Sequence, residues 1–100
     1  MATPLRLQAD KLKRASQMMR TVSHPKRLAL VELLLETGPQ TVTQLAEALD
    51  ISQSNTSQHL KGLEQVGLLA GERQGKEVYY CVQNNHLKHM LACIRDCVDC

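Results

Sequence analysis

Apolar residues near the start of the chain fall at Leu12, Ala15, Met18, Met19 and Val22, a spacing close to 3.6 residues that predicts an amphipathic helix over Gln8–Thr21, reaching Val22. Ser23, His24 and Pro25 then form a start signal, because proline is tolerated at the first helical position and a polar residue before it can cap free amides. The second helix carries Leu28, Ala29, Val31, Leu33, Leu34 and Leu35, apolar on most sides, which is the pattern of a central core helix. Gly38 and Pro39 end it. Thr41 or Thr43 caps a short helix over Gln44–Leu49, whose Leu45, Ala46, Ala48 and Leu49 leave Gln44, Glu47 and Asp50 exposed. A turn at Asp50 and Ile51 leads to Ser52, a further cap, and to a helix through Gln65 that Gly67 stops.

Leu68–Glu72 and Glu77–Val82 read as a hairpin around a polar turn at Arg73–Lys76, with Val78, Tyr80 and Val82 on one face. Two strands alone are marginal, so this ribbon must lean on the helices. Asn84 or Asn85 caps a last helix running towards Cys100. The predicted fold is mainly α with a small β-hairpin, in the order helix, helix, helix, helix, hairpin, helix. The turn between the third and fourth helices suits a helix-turn-helix over 42–66, and the hairpin over 68–82 is its wing.

One hundred residues with 43% apolar content predict a single domain, 1–100, with no room for a second. Two Tyr and no Trp or Phe argue against a base-stacking platform for single strands and leave duplex DNA open. No run of 18 apolar residues occurs and Met1–Leu12 holds no apolar signal segment, so a cytoplasmic protein with no membrane contact is expected. Charge is uneven: Met1–Arg27 holds seven Lys/Arg against one Asp, and Leu28–Leu60 holds four acids and no Lys/Arg. A basic flank suits a phosphate backbone, and equally a solvated helix face.

Ser52–His59 is a run of eight polar residues opening a helix, although Ser, Asn and Thr are weak helix formers. At about 100° per residue, Thr56, Leu60 and Leu63 face a core while Ser54, Ser57, Gln58 and Lys61 share the opposite side. Short hydroxyls and amides can read base edges in a major groove, and no carboxylate between Ile51 and Gly62 repels the backbone. Arg73, Gln74 and Lys76 around Gly75 form a basic tip sized for an adjacent minor groove, flanked by Glu72 and Glu77. The expected DNA contacts are Gln53, Ser54, Ser57, Gln58, Lys61, Arg73 and Lys76. His59 lies beside the core and reads as a packing or hydrogen-bonding residue.

His24-Pro25-Lys26-Arg27-Leu28, Leu45-Ala46-Glu47-Ala48-Leu49, Ser52-Gln53-Ser54 with Ser57-Gln58-His59-Leu60 and Leu63, Gly67-Leu68 and Val78-Tyr79-Tyr80 together resemble the ArsR/SmtB family of repressors. The resemblance runs from about Leu12 to His89. It implies a homodimer joined by the first and last helices, 8–22 and 84–100, binding an imperfect inverted repeat in double-stranded operator DNA. It also implies release on effector binding, the effectors usually being metal or metalloid ions and sometimes reactive sulfur or oxygen species. One family site uses a Cys pair in the helix before the recognition helix, and Thr41–Asp50 has none. Another lies across the dimer at the last helix, where Asn84, His86, Cys97 and Cys100 match; Asn replaces a carboxylate and thiols replace imidazoles, a departure from the zinc pattern.

The last helix can also be read directly. Three of the four Cys crowd into the last eight residues, a distribution unlike a disulfide framework. From Cys93, His86, His89, Cys97 and Cys100 all lie within about 40°. Leu87, Met90, Ile94 and Val98 form the neighbouring apolar stripe, and Lys88, Arg95, Asp96 and Asp99 lie opposite. Cysteines here can be small hydrophobes widening a dimer face. They also form a sulfur-rich donor set, Cys93, Cys97 and Cys100 with His86 from across the dimer, suited to arsenite, cadmium, lead, copper(I) or zinc. Cys93 and Cys100 stand about 10.5 Å apart on a straight helix, so one ion takes all three only if the last turn unwinds or a partner contributes. The rival is disulfide-based redox or sulfur sensing, since neighbouring thiols can just be bridged. Asp96, Asp99 and the helix end give the thiols no strong acidity, which favours metal. Cys81 on the wing strand reads as structural. An enzyme is the alternative class, but no Gly-rich loop or cleft is apparent, and none is expected.

Overall fold

A computed structural model describes residues 8–83 and 86–99. Among these, the elements run α1 (Ala9–Val22), α2 (Pro25–Thr37), β1 (Gln40–Thr41), α3 (Val42–Leu49), α4 (Gln53–Gln65), β2 (Leu69–Gln74), β3 (Glu77–Val82) and α5 (His86–Asp99). This is the expected winged helix-turn-helix order with one addition. Gln40 and Thr41 pair with Tyr80 and Tyr79, so β1 joins the hairpin as a third antiparallel strand in the order β1-β3-β2. The ribbon does not merely lean on the helices; hydrogen bonds tie it to the chain entering α3.

Local chemistry explains several of these boundaries. His24 Nδ1 accepts from the Lys26 amide at 3.1 Å and Pro25 occupies the first turn, starting α2. Gly38, at φ 82°, ends it in a region that side chains avoid. Helix α3 begins at Val42, earlier than the expected Gln44, because Thr41 is its cap. The Thr41 hydroxyl accepts from the Gln44 amide at 3.2 Å while the Gln44 side-chain oxygen accepts from the Thr41 amide at 2.9 Å, a reciprocal capping box. Ser52 caps α4 by accepting from the Asn55 amide at 3.1 Å. At the other end the Leu68 amide donates to the Leu63 carbonyl at 3.0 Å around Gly67, at φ 81°.

The wing is more regular than the sequence suggests. Gln74 pairs with Glu77, so Arg73 and Gln74 belong to β2 rather than to a four-residue turn. Only Gly75 and Lys76 turn the chain, with positive φ (65°) at Gly75 alone, the type II′ pattern that matches strand twist. The expected caps Asn84 and Asn85 lie outside the described residues.

Leu30, Val31, Leu45, Leu60, Leu63 and Leu69 are fully buried, and Tyr80 and Leu87 close this core from β3 and α5. Leu30 is a central core position. Helices α1 and α5 each bury one residue, Val22 and Leu87. Among the described residues no helix is long and apolar enough to cross a membrane.

Candidate nucleic-acid interface and thiol flank

Helix α4 turns Thr56, Leu60 and Leu63 into the core, and the Thr56 hydroxyl donates to the Ser52 carbonyl at 2.8 Å. With the inner face occupied, Gln53, Ser54, Gln58 and Lys61 are exposed, while Ser57 is half-buried on the flank. Ser54, Gln58 and Lys61 fall within a sector of about 60° around the helix. The exposed side is thus a hydroxyl, an amide and an ammonium, the groups that meet base edges and phosphates. At the wing, Arg73 and Lys76 are exposed, and Arg73 Nε donates to the Gly75 carbonyl at 3.4 Å. Of the basic residues near the start, Lys11, Lys13, Arg14, Arg20 and Lys26 are exposed, but Arg27 is half-buried.

Arg27 reaches the recognition helix. Its Nε donates to His59 Nδ1 at 3.0 Å and its Nη1 to the Thr21 carbonyl at 2.9 Å. The His24 ring packs on His59, centroids 4.8 Å apart and tilted by 44°. His59 is the hydrogen-bonding residue expected, and accepting at Nδ1 requires that nitrogen to be unprotonated. Burial lowers its pKa from 6.5, and repulsion from Arg27, His24 and Lys26 adds to the shift. At the far end of α4, Glu64 Oε2 accepts from the Gly71 amide at 3.3 Å, joining helix to wing. A Cβ on Gly71 would meet the cross-strand side chains of β3, Val78 Cγ1 at 3.1 Å and Tyr80 Cε1 at 3.2 Å, so glycine fits this crowded place in the wing. Burial and then Glu64 push the Tyr80 phenol above its usual pKa of 10.0. Sequence reasoning missed Arg27, Glu64 and Gly71 as supports; Gly62, a glycine inside a helix, was the available signal.

On α5, His86, His89, Cys93 and Cys97 are exposed, and the two thiols are free and one turn apart. Cys100 lies outside the described residues. His86 precedes Cys93 by two turns, about 10.5 Å along the axis. Among the described residues no group of three or more His, Cys, Asp or Glu could hold a metal within one chain. Arg95, on the side of α5 away from Cys93, meets Glu32 of α2, Nη2 to Oε2 at 3.4 Å, in an exposed ion pair of small energetic weight. Between α1 and α5 runs an apolar groove of about 730 Å³ lined by Leu12, Ala15, Met19, Leu28, Met90 and Ile94, among others.

The profile of bacterial regulatory proteins of the arsR family matches residues 24–70. Over 77 residues the chain is 39% identical to the HTH-type transcriptional repressor SmtB of Mycobacterium tuberculosis, covering 77% of this chain and 56% of that protein. It is 42% identical over 64 residues to the arsenical resistance operon repressor of Escherichia coli, covering 64% and 55%. The chain thus spans little more than half the length of these two relatives. With the transcriptional repressor PagR of Bacillus anthracis it shares 36% identity over 69 residues, 69% of each chain. The PagR crystal structure superposes with a TM-score of 0.78 at 30% identity, covering 87% of this chain and 99% of that one.

Proposed function

Because this chain belongs to the ArsR family of bacterial regulatory proteins, whose members are DNA-binding transcriptional regulators and not enzymes, we propose that it is a homodimeric repressor of transcription. It binds an inverted repeat in duplex operator DNA and releases it when a thiophilic metal or metalloid meets the cysteines of α5. The observation that carries the DNA reading is the exposed, carboxylate-free face of α4 with a basic wing tip beyond it. A second copy covering the α1/α5 groove would set two such faces in successive major grooves.

Gel shifts at two salt concentrations test this. Wild-type binding weakens steeply with salt. Gln58→Ala relaxes the preference for a selected duplex over a shuffled one, and Lys76→Ala weakens both alike and flattens the salt slope by about one unit. A Gln58→Ala protein with unchanged preference would remove the base-reading role.

The inducer reading rests on two exposed, free thiols one turn apart, a soft donor pair at an accessible flank. Two donors are too few, so Cys100 and His86 of a second copy are the proposed completion. Arsenite, cadmium, lead, copper(I) and zinc fit such a set, and one relative is by name an arsenical resistance operon repressor. The thiols must lose protons to ligate, so binding weakens as pH falls. A second reading follows from the same pair: at i and i+4 their Cα atoms stand about 6 Å apart, within disulfide reach. Peroxide would take two electrons and two protons from the two thiols, leaving a disulfide and two waters, and a persulfide would leave the same disulfide with a thiol and hydrogen sulfide. Operator release by each ion and by each oxidant, on wild type and on Cys93→Ser/Cys97→Ser/Cys100→Ser, separates them. Release by oxidants alone transfers the role to redox sensing, and a triple variant still released by metal removes the site.

A further inference from the structure

Gly62 stands within α4, where glycine weakens a helix by about 1 kcal/mol relative to alanine. A Cβ at this position would meet Arg27 Nη2 at 3.1 Å and Cζ at 3.3 Å. The Arg27 guanidinium therefore lies against the backbone of the recognition helix, in space that a side chain would take. From there it donates to His59 on α4 and to the Thr21 carbonyl in the last turn of α1. The last carbonyls of a helix have no partner within it, and a cation is favoured at that end. One planar group thus bridges the end of α1 and the flank of α4 from its own seat on α2.

We propose that Arg27 is a positioning residue for DNA recognition, holding α4 in register with the end of α1 through His59 and Thr21. The inference rests on the DNA-binding reading above. Half-burial and two engaged donors set Arg27 apart from the exposed lysines and arginines available to phosphates. Its role needs a rigid fork with divergent donors, which a lysine ammonium does not reproduce. His24, capping α2 and stacked on His59, backs the acceptor ring.

The test uses a duplex selected by the wild-type protein from a random-sequence pool, beside a shuffled duplex of equal composition. Arg27→Lys keeps the charge and loses the fork. The ratio of selected to shuffled affinity falls about tenfold, the scale of one charged hydrogen bond, while shuffled affinity and its salt slope stay as in wild type. Gly62→Ala strengthens the helix but crowds the guanidinium, so the ratio falls severalfold while the thermal midpoint holds or rises. His59→Leu removes the acceptor, and combined with Arg27→Lys it lowers the ratio no further than the stronger single change. Should Arg27→Lys prove poorly folded, Gly62→Ala decides. Arg27→Lys or Gly62→Ala with the wild-type ratio overturns the proposal, as does an equal loss on both duplexes, which would make Arg27 a phosphate contact. A wild type that enriches no duplex defeats the DNA-binding reading itself, before any variant is made.

Discussion

Helix α4 has 13 residues and buries Thr56, Leu60 and Leu63; α5 has 14 and buries Leu87 alone, and α1, equally long, buries Val22 alone. The lopsidedness is not one of composition, since α1 and α5 carry helically spaced apolar residues throughout. Four of those residues face outwards: Met19 is 65% exposed, Val98 76%, Ile94 44% and Leu12 41%. The outer surface of α4 is polar and complements a hydrated anionic partner, whereas that of α1 and α5 is apolar and complements another apolar surface. The helix-turn-helix half is thus complete as a fold and incomplete only as a recognition device. The α1/α5 half leaves apolar surface uncovered.

The contrast breaks most sharply at Leu60. Leu60→Ala should cost about 2–5 kcal/mol in urea unfolding, since a fully buried leucine leaves a cavity; a loss under about 1 kcal/mol would mean that this half has no tight core. Next in size, Ile94→Asp should raise the dissociation constant of the proposed dimer by about a hundredfold, roughly 3 kcal/mol, by placing a charge on the exposed apolar side of α5. Sedimentation over a concentration series reads this, and an unchanged constant would place the interface elsewhere. Ser52→Ala removes the cap of α4 and should cost about 1 kcal/mol of stability.

The smallest effect is with pH. The folded-state pKa of His59 lies below 6.5, through burial first and then Arg27, His24 and Lys26. Between 6.5 and that lowered value the unfolded chain binds a proton that the folded chain resists. Stability is therefore full above 6.5 and declines as pH falls through this window. Urea midpoints on either side of it should differ less in His59→Gln than in wild type; equal slopes would remove His59 as the source.

Helices announced themselves in the sequence because their signals are repeated or chemical. Leu60 and Leu63 mark the inner face of α4 by period, and His24-Pro25 and Ser52 mark starts by capping. Strand β1 left no signal, because two residues are too few for an alternating pattern and Gln40 and Thr41 resemble any loop before a cap. The wing turn was read as four residues because Arg73, Gln74, Gly75 and Lys76 are all polar, and only pairing register shows that two of them are strand. Exposure of the Ser54, Gln58 and Lys61 face was legible from helical angle. The Arg27 bridge was not, since it joins residues separated by 32 positions, a link that local spacing does not encode. The placement of Arg95 against Glu32 escaped for the same reason.

Thr41 is at once the end of β1, the cap of α3 and a buried residue, 6% exposed. Its neighbours on either side are therefore not free to move independently. Lifting the sheet edge from Tyr79 would strip the cap from α3, and unwinding the first turn of α3 would loosen the sheet. Backbone amides along this seam should consequently exchange with solvent in one cooperative opening together with the core, and not by local fraying. Helix α3 and the wing then move together, and a bend of the wing alone into a groove must arise near the Gly75 turn.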